Sequence, residues 1–281
     1  MLHKNIRGMI RAVNRAMSVV GVSVIFAGCT VRETDITKMM GDEPRWSHGM
    51  YESKVGPIVW AAQRPTARLV HIYIEGDGAA FTPDGRPSLN PTPHKPVALR
   101  LALADKSGAR VVYLGRPCQW QQGHPQCQNP ARWTDERFEE DVVEAYTRVL
   151  ADIAHDKPTE LIGFSGGAWI ALQVGARVPS VQRVRTVAGN LLPNAVNRYH
   201  QVKQIDVAPY PEAVSHVPQW HVWGGRDNVI PTTIAEAYKQ TVSPTCAQWA
   251  EAPKATHTKG WEDIWPQLLQ APLPECAAKS E

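Results

Sequence analysis

The amino-acid sequence predicts an α/β fold, with a mostly parallel central sheet and helices on both of its faces. Strand-like runs alternate with amphipathic helical runs along most of the chain, and this order is typical of parallel sheets. The 281 residues, 43% of them hydrophobic and 20% charged, are enough for one sizeable core. We therefore expect one domain over residues 45–281 rather than two separate domains.

The N-terminal segment has the composition of an export signal. Residues 1–15 carry four basic residues and no acidic one, and residues 16–27 are apolar or small. About 12 such residues are too few for the roughly 20 that span a bilayer, which favours a signal peptide over a transmembrane anchor. The run ends at Phe26-Ala27-Gly28-Cys29, which resembles a bacterial lipobox.

This resemblance implies a lipoprotein signal peptide at residues 1–28 and acyl chains on Cys29, with a plain secretory signal as the alternative. Two or more acyl chains would hold the protein at a membrane surface. Thr30, rather than Asp, follows the cysteine, so we expect a periplasm-facing protein in the outer membrane. The polar residues that follow, to residue 44, are expected to form a tether.

The strands and helices of the domain follow from periodicity. Strands are predicted at 51–62 (a strand or a hairpin), 67–74, 110–114, 161–164, 184–188, 219–223 and 247–252. Helices are predicted at 97–105, 134–156, 166–176, 234–240 and 261–269, with Thr134 capping the second of them. Three segments lack a pattern and are expected to form the rim of a pocket: 81–96, 118–127 and a cap-like insertion at about 189–217.

One strand–turn–helix contains a candidate nucleophile, Ser165, in Gly163-Phe-Ser-Gly-Gly167. A serine on a sharp turn between a strand and a helix adopts a strained backbone, and large flanking side chains would collide with the neighbouring elements. Glycines on either side let the hydroxyl stand clear. The amide of Gly166 would then point from the helix N-terminus toward a developing oxyanion.

An acid and a base follow two later strands. Asp227 comes after the strand at 219–223, and His257 comes after the strand at 247–252. A serine becomes nucleophilic when a histidine takes its proton, and a carboxylate fixes the tautomer of that histidine. Because the carboxyl ends of parallel strands share one edge of the sheet, we expect the three side chains to meet there. Asp206 is the alternative acid.

The order Ser165, Asp227, His257 is that of the α/β-hydrolase family, which the sequence resembles from about residue 67 to residue 270. The resemblance implies Ser165 as nucleophile, Asp227 as acid and His257 as general base. It also implies a second oxyanion donor in the turn Glu75-Gly76-Asp77-Gly78. The Asp77 amide is the first candidate there and the Gly78 amide the next, with both carboxylates of the turn expected to point into structural hydrogen bonds.

The remaining cysteines suit an oxidising compartment. Cys118 and Cys127 bracket one loop and are expected to pair, which leaves Cys246 to pair with Cys276. Zinc binding is the alternative, but the cysteines lack the paired C-x-x-C spacing of structural zinc sites. No metal-ligand motif or phosphate-binding loop appears, so neither a metal nor a cofactor is expected.

These features predict a lipid-anchored serine hydrolase that cleaves a carboxylic ester or related acyl bond through an acyl-serine. The expected substrate is a small-molecule or lipid-like acyl compound. The net charge of +3, with interspersed acids and bases, gives no case for nucleic acid. Two alternatives stay open: transfer of the acyl group to an acceptor other than water, and a noncatalytic envelope lipoprotein that uses the fold for binding.

Overall fold

A computed structural model describes residues 36–40, 45–63, 66–121 and 123–274 of the chain. Within these residues, eight strands form a single sheet: β1 (Trp46–Tyr51), β2 (Ile58–Gln63), β3 (Val70–Ile74), β4 (Arg110–Leu114), β5 (Thr159–Phe164), β6 (Val181–Val187), β7 (Gln219–Gly224) and β8 (Ala247–Ala252). Their order across the sheet is β1-β2-β4-β3-β5-β6-β7-β8. The first two strands form an antiparallel hairpin, and all pairs from β4 to β8 are parallel.

Helices cover both faces of the sheet. They are α1 (Ile36–Met40), α2 (Val97–Ala104), α3 (Glu140–Ala154), α4 (Gly166–Gly175), α5 (Pro193–Tyr199), α6 (Thr232–Val242) and α7 (Trp265–Gln270), with short 3-10 helices at Pro125–Cys127, Pro130–Trp133 and Glu212–His216. Successive strand residues face opposite sides. Ile72 and Leu161 accordingly pack in a core with α3, α4 and α6, whereas Tyr73 and Ile162 pack in a second core with α1, α2 and α7. The predicted α/β class and mostly parallel sheet are confirmed.

Several predicted element boundaries were wrong, and the first strand of the hairpin predicted at 51–62 begins already at Trp46. The helix predicted from Thr134 begins only at Glu140, since the Thr134 hydroxyl donates back to the carbonyl of Pro130 at 2.9 Å and closes a 3-10 turn instead. The insertion at 189–217 is not wholly irregular, because it contains α5. The last helix begins at Trp265 rather than residue 261.

The N-terminal predictions lie mostly outside the described residues. This applies to the signal peptide at 1–28, to Cys29 and to most of the predicted tether at 29–44. The described part of that predicted tether is α1, whose Ile36 and Met40 are buried in the second core. This part therefore packs against the domain and is not a linker. No helix among the described residues has the length and apolar character needed to cross a membrane.

A disulfide joins Cys118 to Cys127, with their Cα atoms 5.5 Å apart, as predicted. It closes the loop that follows β4. Gly56, in the β1–β2 hairpin, packs against it: a Cβ atom on this glycine would lie 2.8 Å from the Cys118 sulfur. The pairing of Cys246 with Cys276 stays a prediction, because Cys276 lies outside the described residues.

Candidate active site

Ser165 occupies the sharp turn between β5 and α4, as the sequence pattern predicts. Its φ of 49° is in the left-handed region, which a residue with a side chain rarely adopts. The flanking glycines are required by space. A Cβ atom on Gly163 would lie 2.5 Å from the Cα of Ala168, and one on Gly167 would lie 2.3 Å from the carbonyl oxygen of Ile74. The tight packing of α4 on β3 and β5 therefore holds the serine in its strained conformation.

The structure brings Ser165, Asp227 and His257 together at the carboxyl edge of the sheet. The Nε2 atom of His257 lies 3.1 Å from Ser165 Oγ, and its Nδ1 atom lies 2.9 Å from Asp227 Oδ2. Both are hydrogen-bond distances. The Asp227 carboxylate is fully buried, while 14% of the His257 side chain is exposed. The imidazole thus joins a fully buried carboxylate to the hydroxyl of Ser165, a residue that is 9% exposed.

The acid is fixed by its own loop. Asp227 Oδ1 accepts hydrogen bonds from the amides of Val229 and Ile230, at 2.8 and 2.9 Å, which leaves Oδ2 for the imidazole. The Asp227 amide donates to the carbonyl of Gly224, the last residue of β7. The carboxylate is therefore held both by the end of its strand and by the turn that follows. The imidazole pairs with this residue and not with Asp206, the alternative acid.

The base is fixed by Trp261, which is fully buried. Its indole N–H donates to the carbonyl oxygens of Thr256 and His257, at 2.9 and 3.1 Å. On the other side, the ring of Phe164 lies 5.1 Å from the imidazole, centroid to centroid. The sequence assigned Trp261 to a helix, but its role is to hold the loop that carries the histidine.

The turn after β3, residues 75–78, lies directly against the serine. A Cβ atom on Gly76 would lie 2.9 Å from the Cβ of Ser165. Within the described residues, the amides of Gly166 and Asp77 donate to no protein acceptor. Neither predicted oxyanion donor is therefore occupied by an acceptor of the described protein.

The two carboxylates of this turn are engaged in structural hydrogen bonds, as expected. Glu75 is 1% exposed, and its oxygens accept from the amides of Gly76, Ala98 and Leu99 at 3.0 to 3.4 Å, so it caps the start of α2. Burial outweighs these amide contacts and raises the pKa of Glu75 to about 7. Asp77 forms ion pairs with Arg116 and Arg137, at 2.8 and 3.0 Å.

Sequence reasoning missed these two arginines. Arg116 comes two residues after β4, so a charged side chain following a buried strand at the carboxyl edge was the available signal. Arg137 gave no such signal, because it lay inside a predicted helix. Both arginines are buried, with 4% and 6% of their surface exposed. Charged side chains are rarely buried unless they are paired, and both of these pair with Asp77.

Two other histidines, each within a strand, have structural partners. His71 lies 2.7 Å from an oxygen of Asp105. His221 contacts the Thr186 hydroxyl and the Gln219 side-chain oxygen, and its burial lowers its pKa to about 3. Both side chains are buried, at 3% and 2% exposed. His200 is different, because its Nε2 atom contacts the carbonyl of Val229 in the Asp227 loop.

A cavity of about 570 Å³ lies beneath the insertion at 189–217. Trp169, one turn after Ser165 in α4, forms one wall, and residues of α5, of 207–215 and of the end of α6 form the others. Ser165, Asp227 and His257 do not line it. Among the described residues, no group of His, Cys, Asp or Glu side chains is arranged to hold a metal ion.

Comparison with known proteins extends this picture. No protein family matches the chain, and no curated protein does either. Solved structures do match. An α/β serine hydrolase without a lid from Xanthomonas campestris is 16% identical, with a TM-score of 0.54 over 83% of this chain and 97% of that one. A bacterial membrane phospholipase A is 14% identical, with a TM-score of 0.57 over 83% of this chain and 88% of that one.

The esterase domain of a Rhodothermus marinus protein is 15% identical, with a TM-score of 0.52 over 79% of this chain and 96% of that one. At such identities the likeness is one of fold. Together with the strand order and the turn that carries Ser165, it shows that this chain has the α/β-hydrolase fold.

Proposed function

We propose that the protein is a serine hydrolase that cleaves a carboxylic ester or a related acyl bond through an acyl-Ser165 intermediate. One observation carries the proposal: His257 lies at hydrogen-bond distance from both Ser165 Oγ and Asp227 Oδ2. Buried acids of this kind orient a histidine and stabilise its protonated form. The strained φ of Ser165 adds support, because such strain is concentrated at functional sites.

The first half of the proposed reaction forms the acyl-enzyme. Ser165 Oγ attacks the substrate carbonyl carbon while its proton passes to His257 Nε2, and Nδ1–H of the same ring donates to Asp227. The carbonyl π electrons move to oxygen, and the amides of Gly166 and Asp77 donate to this oxyanion. Collapse re-forms the carbonyl and breaks the bond to the leaving group, which takes the proton from Nε2.

The second half removes the acyl group. Water attacks the acyl-Ser165 carbonyl as His257 takes a proton from it, and a second oxyanion forms in the same place. Its collapse releases the carboxylic acid and returns the proton to Ser165 Oγ. An alcohol in place of water would make the same site a transacylase.

The membrane location belongs to the proposal as well. We infer export, acylation at Cys29 and attachment to the outer membrane, on the basis of the N-terminal sequence. An acyl substrate of lipid-like character suits this location, and one structural neighbour is described as a membrane phospholipase A. Metabolic labelling with an acyl analogue tests the anchor: the label is expected on the parent protein and not on Cys29→Ala.

The enzymatic part is tested with Ser165→Ala on a panel of p-nitrophenyl esters. The expected result is a loss of turnover by about 10⁴-fold or more, down to the level left by binding and the oxyanion donors. Ser180→Ala is a matched control, because this buried hydroxyl, directly before β6, has no hydrogen-bond partner among the described residues. Equal turnover by Ser165→Ala and the parent would refute the mechanism.

A fluorophosphonate probe distinguishes the enzyme from a noncatalytic binding protein. Labelling that requires both Ser165 and His257 supports the enzyme. A folded parent that never labels supports the binding protein.

A further inference from the structure

The turn at residues 75–78 packs tightly against the serine turn. Besides the contact of Gly76 with Ser165, a Cβ atom on Gly166 would lie 2.0 Å from Asp77 Oδ1. The Asp77 side chain therefore lies next to the first residue of α4. A small displacement of Asp77 would move its backbone amide relative to the reacting carbonyl.

Asp77 is held from two directions by charged groups. Arg116 Nη1 lies 2.8 Å from Asp77 Oδ1, and Arg137 Nε lies 3.0 Å from Oδ2. Charge-assisted hydrogen bonds are about twice as strong as neutral ones. With one guanidinium on each oxygen, the carboxylate cannot rotate without breaking at least one ion pair.

The two arginines are fixed in turn by other parts of the chain. Arg137 donates to the Thr134 carbonyl and, at 3.2 Å, to Asn197 Oδ1 in α5. Arg116 donates to the carbonyl of Arg137 itself. Both guanidinium groups lie over the ring of Phe138, 5.2 and 4.7 Å from its centroid. The Asp77 side chain is thus tied to the segment before α3 and to the insertion at 189–217.

The turn has other hydrogen bonds, but those formed by the described residues do not involve Asp77. Gln119 Nε2 donates to the carbonyl of Gly76 at 2.9 Å, and the Ala79 amide donates to the carbonyl of Pro91 at 3.0 Å. The Asp77 side chain reaches outside the turn to the two arginines, whereas the Glu75 side chain reaches α2. Two buried positive charges around it also balance its negative charge, so the carboxylate does not oppose an oxyanion nearby.

We propose that Arg116 and Arg137 are positioning residues, which hold Asp77 so that its backbone amide faces the oxyanion formed at Ser165. This inference rests on the proposed hydrolase function. The arginines act through Asp77, because their hydrogen bonds to Asp77, Thr134, Asn197 and Arg137 direct them into the protein.

The test is Arg137→Gln, with steady-state kinetics on a p-nitrophenyl ester that the parent cleaves. A misplaced oxyanion donor weakens the transition state alone, so kcat and kcat/KM are expected to fall together by about 100-fold, with KM changed by less than about threefold. Affinity for an alkylboronic acid, which forms a tetrahedral adduct on the serine, is expected to fall by a similar factor.

Arg185→Gln is the matched control. Arg185 is also buried, and it pairs with the buried carboxylate of Glu160. Glu160 lies near the amino end of β5, five residues before Ser165, so this ion pair is roughly 16 Å from the serine along the strand. Its loss is expected to lower the melting temperature at least as much as Arg137→Gln, yet to leave kcat within about threefold of the parent.

Asp77→Asn keeps the test decisive if Arg137→Gln fails to fold. If the arginines act by holding Asp77 in place, kcat of Asp77→Asn falls, because the two ion pairs that fix the residue are lost. If they act only by their positive charge near the oxyanion, removal of the opposing carboxylate raises kcat, and the inference is overturned.

The inference also fails if Arg137→Gln is folded and as active as Arg185→Gln while Ser165→Ala is inactive. Turnover that survives Ser165→Ala is a different result, which overturns the proposed function and this inference with it.

Discussion

Glu75 is expected to make the stability of the protein depend on pH in the neutral range. Its carboxyl group is 1% exposed and has a pKa of about 7 in the folded protein, against an ordinary value of 4.5. Because the folded-state pKa is the higher one, the native protein binds this proton more tightly than the unfolded chain does. Glu75 therefore stabilises the fold at low pH, and this contribution is lost as the pH rises from about 4.5 to about 7.

The size of the effect follows from the two pKa values. One pKa unit corresponds to about 1.36 kcal/mol, so the difference between pH 5 and pH 8 is about 2.5 kcal/mol. The stability curve of the parent will not show it directly. His221, with a pKa lowered from 6.5 to about 3, acts in the opposite direction over the same acidic range. The two slopes nearly cancel between pH 4.5 and 6.5.

The measurement is therefore a difference between the parent and Glu75→Gln. Urea unfolding at pH 5, 6, 7 and 8 gives the free energy of unfolding of each protein. Glutamine does not titrate. Its NH₂ group would face an N–H donor of α2 and could not accept from it, so we expect a constant offset between the free energies of unfolding of the two proteins. On top of it, the parent should lose about 2.5 kcal/mol relative to the variant from pH 5 to pH 8. A difference that is constant within about 1 kcal/mol would show that Glu75 titrates near its ordinary pKa.

Three further predictions follow from single contacts. Gly166→Ala places a Cβ atom 2.0 Å from Asp77 Oδ1, so the esterase kcat should fall by about 100-fold with the fold retained by circular dichroism. Removal of the disulfide in Cys118→Ala/Cys127→Ala opens a loop with a sequence separation of 9, and urea unfolding should show a loss of about 3 kcal/mol. As the pH falls from 6.5 to 4.5, His221→Gln should gain about 2.3 kcal/mol of unfolding free energy relative to the parent, since the native parent resists protonation of this buried ring; urea unfolding of both proteins at those two pH values measures the difference.

The sequence was most informative where burial and chain direction act together. Strands β4 and β8 were predicted to the residue, because runs of strand-forming residues between turns have few other arrangements. Ser165, Asp227 and His257 each come shortly after a parallel strand. Because the carboxyl ends of parallel strands share one edge of the sheet, the sequence alone predicts that the three side chains meet. Their proximity needed no knowledge of side-chain contacts.

Where the sequence misled, contacts with distant residues decided the local structure. Residues 134–139 have helical periodicity, but Arg137 turns toward Asp77, 60 residues away, and the helix begins only after it. In α5, Pro193 begins the helix and Asn194 bonds both the amide and the carbonyl of Ile205. Asparagine is a poor helix former, so this seven-residue helix depends on a partner segment that periodicity cannot reveal.

The distribution of the site along the chain has a consequence for biosynthesis. The serine strand β5 has been made once residue 164 leaves the ribosome, whereas Asp227 and His257 follow β7 and β8. A nascent chain that has reached residue 218 holds six of the eight strands and the serine, but neither the acid nor the base. On the proposed mechanism, a polypeptide still under synthesis has no acyl-transfer activity, and the hydroxyl becomes reactive only when the last two strands, β7 and β8, and the loops after them are added.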